Sequence, residues 1–175
     1  MYILWFIIVL FISLLLEVGF GNAGYSFPFI LLAGYYYSTV ASIKVTVIPL
    51  LITAVMMENL RMNQFPIYIT GMFLVLIMGE LSKRFGDPGS VVFRFAAGWM
   101  IGLCWLLLQL LDALCQKAVI GVNLWGYVLA QLFLPAILFC ALQLFLDGQA
   151  QFLHFRTWAE SSRQRDGSLD KELGE

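Results

Sequence analysis

Charge is scarce in this sequence: Asp, Glu, Lys and Arg make up 12% of 175 residues, against roughly a quarter in ordinary soluble domains. Histidine is scarcer still, because the single His154 lies in the polar C-terminal stretch. With no GxSxG or GxSG segment either, a serine hydrolase has neither nucleophile elbow nor nearby base. The three cysteines, Cys104, Cys115 and Cys140, are odd in number and lack CxxC spacing, so they read as packing or interfacial residues. His, Cys and Asp do not cluster as metal ligands, no phosphate-cradling P-loop is present, and no cofactor is expected. A net charge of −1 without a basic stripe excludes nucleic-acid binding.

An aspartyl mechanism needs two carboxylates in one site. Glu17, Glu58, Glu80, Asp87 and Asp112 instead fall at or beyond the ends of apolar runs, where they are expected to be solvated interface charges. No enzyme is expected.

What the sequence does have is apolar length: 61% of residues are hydrophobic and the mean hydropathy is +0.87. The expected class is an all-α integral membrane protein, a compact bundle of about six short helices. Runs between polar or Gly/Pro breaks predict spans at Tyr2–Leu16, Tyr25–Ile43, Val45–Met57, Phe65–Leu81, Val91–Leu111 and Val122–Leu146. The first run has no Lys or Arg before it, so it reads as a span and not as a cleaved signal. The third is short and has Pro49 near its start. That leaves it tilted, re-entrant or extended through Glu58 and Asn59, and leaves five or four full crossings as alternatives.

The charge distribution divides the chain. Residues 1–146 carry 11 charged side chains and residues 147–175 carry 10, which separates a membrane body from a wet tail. In the tail, Phe152, Phe155 and Trp158 recur at three-residue intervals, predicting a short interfacial helix over Gln151–Trp158 in contact with the membrane surface. From Glu160 onward the composition predicts disorder. With six spans, eight basic residues fall on the side of the termini and two, Arg61 and Lys117, on the other, which places both termini in the cytoplasm. Trp5, Tyr25, Trp99 and Trp125 lie toward span ends as interfacial anchors, and Tyr35, Tyr36 and Tyr37 point in three directions on a helix and form no single face.

One polar cluster stands above background, Glu58-Asn59-Leu60-Arg61-Met62-Asn63-Gln64-Phe65-Pro66. Arg61, three residues after Glu58, is the expected partner of a carboxylate near the membrane surface. Glu58, Asn59, Arg61 and Pro66 are the candidate partner or ligand contacts. The plainer reading is that they end one helix and start the next at Pro66. Gln109, Gln131, Gln143, Ser38, Thr39, Thr53 and Thr70 are candidates for bonds between helices, and Gly71, Gly79, Gly98 and Gly102 for close backbone approach, with Gly98-x-x-x-Gly102 as the best packing motif.

The layout, and the run from Pro49 through Glu58 to Pro66 in particular, resembles the bacterial rod-shape-determining membrane protein family MreD. There, an acidic residue ends the third of six short spans before a Pro-containing turn. Glu58 stands where that family has Asp, and the glycines usual around the turn are missing. The resemblance implies a non-enzymatic scaffold of the cell-elongation machinery in the bacterial inner membrane. It also implies an MreC-like partner, wall-synthesis enzymes nearby and a link to the MreB filament. The family is similar in fold to the substrate-binding subunits of energy-coupling-factor transporters, so a small-molecule uptake subunit is the alternative.

Overall fold

The computed structural model describes residues 2–22, 26–61, 65–85, 90–116 and 124–152. Tyr25, the turn at 62–64, Asp87, Lys117 and the tail beyond Phe152, with its expected interfacial helix and disorder, lie outside the described residues. All regular structure among the described residues is helical: α1 (Tyr2–Asn22), α2 (Phe29–Val40), α3 (Ile43–Arg61), α4 (Ile67–Phe85), α5 (Val91–Cys115) and α6 (Leu124–Phe152). Four of these, α1, α3, α5 and α6, are long and apolar enough to cross a membrane, and the chain is a multi-pass membrane protein.

The helix expected to be weak is not the weak one. The third run is a 19-residue helix that continues through Glu58 to Arg61, with Pro49 inside it. The Thr53 hydroxyl, one turn after the proline, bonds back to the Pro49 and Leu50 carbonyls, both at 2.9 Å. The short element is α2, whose 12 residues rise only about 18 Å. Its sequence run Tyr25–Ile43 looked long enough because the flanking segment and the Ala41–Ser42 break are apolar or small.

α2 tolerates its shortness because it is the central helix. It touches all five others, and ten of its residues are buried. Association inside lipid gains little from the hydrophobic effect, so close packing and internal hydrogen bonds must hold it. Small residues supply the closeness. Gly34 of α2 faces Leu50 of α3, Gly71 of α4 faces Leu31, and Gly79 faces Ser38, each with no room for a Cβ. Tyr35, Tyr36 and Tyr37 do point three ways, and because α2 is enclosed all three are buried. Tyr35 hydrogen-bonds Ser82 of α4 at 2.6 Å, Tyr36 donates to Asp147 of α6 at 2.7 Å, and Tyr37 stacks on Phe6 of α1 at 4.2 Å.

These contacts also fix the direction of each helix. The C-terminal ends of α2, α4 and α6 meet the N-terminal part of α1 at one end of the bundle, so the helices alternate up and down. α6 runs past the composition break at Leu146 without interruption, and Asp147 belongs to the bundle through Tyr36. Gly98 and Gly102 of α5 lie against α6: a Cβ on Gly98 would come 2.7 Å from the Ala136 Cα, and one on Gly102 2.5 Å from the Gln131 carbonyl oxygen. Of the expected anchors, Trp5 is half-buried and Trp99 exposed.

Candidate functional site

The alternation gathers the C-terminal ends of α1, α3 and α5 with the N-terminal ends of α2, α4 and α6. Helix N-termini present backbone N–H groups without intrahelical acceptors and a partial positive charge. At this end carboxylates from other helices meet part of that need for α2 and α4. Glu17 Oε2 of α1 accepts the Ile30 N–H in the first turn of α2 at 3.0 Å. Glu58 of α3 accepts both Ile67 N–H (3.1 Å) and Tyr68 N–H (2.9 Å) at the start of α4. Asp112 of α5 accepts the Phe65 N–H at 3.1 Å, just before α4, and the Gln116 amide at 2.7 Å.

Two expectations are corrected here. Glu17 is not a solvated interface charge: it is fully buried, and α1 therefore continues through it to Asn22. Asp112 is likewise buried. Glu58 and Arg61 do not pair with each other, because the carboxylate is held by two α4 amides and the guanidinium turns toward α1 and α2. Arg61 donates to the Ser26 hydroxyl at 3.0 Å and to the Glu17 carbonyl at 3.3 Å, and lies 5.6 Å from the centre of the Tyr68 ring. Gly21 makes room for it, since a Cβ there would meet Arg61 Nη2 at 2.6 Å.

Ser26, which sequence reasoning missed, is the hub. Its hydroxyl accepts from Arg61 and from Gln109 Nε2 (2.7 Å), and its carbonyl accepts from Trp105 Nε1 (3.3 Å) and Gln131 Nε2 (2.5 Å). Gln109 in turn accepts from the Tyr127 hydroxyl. One residue between α1 and α2 thus ties α3, α5 and α6 together. Of the candidate inter-helix polar residues, Gln109 and Gln131 do this work, whereas Ser38, Thr39 and Thr53 bond back to carbonyls of their own helices. Gln143 is fully buried with neither amide atom partnered among the described residues.

The predicted contact residues separate into two pairs. Glu58 and Arg61 are half-buried and engaged internally, while Asn59 and Pro66 are exposed, beside Leu60 at 62% exposure. Pro66 starts α4 by accepting the Thr70 N–H at 3.0 Å. Three buried oxygens at this end face other polar groups without a short hydrogen bond: Glu17 Oε1 and the Tyr68 hydroxyl lie beside each other, and Gln131 Oε1 lies near Tyr127. No group of three or more His, Cys, Asp or Glu able to hold a metal occurs among them. The chain matches no known family model, no curated protein and no solved structure.

Proposed function

We propose that this chain is a non-enzymatic membrane scaffold of the bacterial cell-elongation machinery, an MreD-like subunit that binds an MreC-like partner beside the wall-synthesis enzymes. The observation that supports the reading is the α3–α4 corner. Glu58, the acidic residue on which the resemblance turns, ends a helix of spanning length and grips the first amides of the next. A Glu in place of the family's Asp retains the carboxylate that this capping uses. The corner presents Asn59, Leu60 and Pro66 outward, and these form the proposed partner contact. Lys44, Lys83, Arg84 and Arg94 lie at the end that holds the start of α1 and the end of α6, which favours an inner-membrane orientation with both termini cytoplasmic.

The test is to tag the chain at Glu175, solubilise membranes gently and identify co-purifying proteins by mass spectrometry. Recovery of an MreC-like protein that is lost on replacing Asn59 and Leu60 with Asp, with the helical circular-dichroism spectrum unchanged, supports the scaffold.

A second reading is favoured by the buried polar oxygens of Glu17, Tyr68 and Gln131 at this end. In a fold similar to energy-coupling-factor substrate-binding subunits, they would be acceptors for a small polar molecule from the vitamin class. Co-purification of paired ATPases with a coupling membrane subunit would select it over the scaffold.

A further inference from the structure

An open groove of about 530 Å³ runs between α1 and α3. Ile7, Phe11 and Leu14 form one wall, and Ile48, Ile52 and Met56 the other. Among the described residues the only polar side chains on it are Lys44 and Thr53, and the Thr53 hydroxyl is already bonded to its own helix. A polar ligand would find no partner along the walls, so the occupant is apolar for nearly its whole length.

The groove's length identifies the occupant further. From Lys44 to Met56 α3 rises about 18 Å at ~1.5 Å per residue, a little over half of the roughly 30 Å hydrocarbon layer. A partner's transmembrane helix would need a track through the whole layer, whereas one acyl chain occupies a single leaflet. The exposed Lys44 stands at the groove's mouth in the first turn of α3, where the helix dipole adds to its positive charge. At the same end Lys83 is paired with Glu80, and Arg84 and Arg94 outweigh Asp147, so the balance among the described residues stays positive.

We propose that the α1–α3 groove seats one acyl chain of an anionic phospholipid whose phosphate is held at Lys44. Neutral phospholipid offers the same chain but no net charge for Lys44 to select, so headgroup discrimination is the signature.

The experiment is native mass spectrometry of the full chain released from nanodiscs of equimolar phosphatidylglycerol and phosphatidylcholine, together with unfolding midpoints in detergent on adding each lipid. The wild type is expected to retain one phosphatidylglycerol at least five-fold over phosphatidylcholine and to unfold higher with it. Lys44→Gln should abolish the preference and leave chain binding. Ile52→Trp, which fills an already exposed groove position, should displace both lipids without lowering the lipid-free midpoint. Equal retention of the two lipids by the wild type, or unchanged preference in Lys44→Gln, would overturn the proposal. So would cross-links from Ile48→Cys that capture a second polypeptide in native membranes and no lipid.

Discussion

The two ends of this bundle hold their polar groups in different ways. At the end that gathers α2, α4 and α6 C-termini, the ties are spread over several residues: Tyr35 bonds Ser82, Tyr36 bonds Asp147, and Lys83 bonds Glu80 (2.6 Å) and the Ala41 carbonyl (2.9 Å). At the opposite end the bonds converge on shared groups, with Ser26 accepting from three other helices and Arg61 spanning Ser26 and Glu17. A hub fails together, because removing one member strands the others in a low-dielectric interior.

The largest expected effect is therefore at Arg61. Arg61→Ala removes both its bonds and leaves the buried Glu17 carboxylate without a neighbouring cation, a change expected to cost about 3 kcal/mol. The measurement is the denaturant midpoint in mild detergent. A double-mutant cycle sharpens it: in Glu17→Gln the loss from Arg61→Ala should be smaller by at least ~1 kcal/mol. Strict additivity would mean that the two residues act separately and that the hub description is wrong.

Next comes the seam between the two ends. Gly102→Ala places a methyl 2.5 Å from the Gln131 carbonyl oxygen, a backbone atom that moves only if α6 moves. Overpacking of this kind costs about 2 kcal/mol. Because Gln131 also donates to Ser26, the strain is transmitted to the hub. Hydrogen exchange should then rise around Ser26 as well as along α5 and α6. A rise confined to α5 and α6 would show the seam and the hub to be independent.

Glu58→Ala is expected to cost about 1 kcal/mol, since it uncovers two α4 amides that water can partly satisfy at the membrane surface. Glu58→Asp tests reach: the shorter side chain should lose part of the cap if both amide bonds matter, and none if a charge near the helix end suffices.

Much of this architecture is legible from composition and spacing, because lipid requires long apolar helices and the sequence has them. The tyrosine run on α2 and the close approaches at Gly71, Gly79, Gly98 and Gly102 are local in origin: three successive residues must point three ways, and a missing Cβ is visible in any alphabet. What was not legible is which helix is enclosed. α2 carries no charge and α3 carries Lys44, Glu58 and Arg61, but apolarity does not tell a lipid-facing helix from an enclosed one, and only the packing of five neighbours around α2 decides that the shorter is central. Ser26 was invisible for a related reason. Its four donors lie between 35 and 105 residues away, and a serine before Phe27 and Pro28 reads as an ordinary loop. Glu17 was misread because a lone carboxylate at the edge of an apolar run is usually solvated. The partner that keeps it inside, the first turn of α2, becomes its neighbour only in the folded chain.

The smallest expected effect is the control for the whole comparison. Arg84, in the last turn of α4 at the end away from Ser26, is exposed, as is a typical interfacial arginine. Arg84→Ala should leave the unfolding midpoint where it is, because a solvated charge gives up little when removed. Arg61 and Arg84 are the same residue type, each in the last turn of its helix, so the difference between their alanine variants isolates burial and shared bonding from side-chain chemistry. If the two variants unfold at the same midpoint, convergence on Ser26 contributes nothing that a surface arginine does not. If only Arg61→Ala falls, and Ser26→Ala falls with it, the distal end is a single cooperative unit.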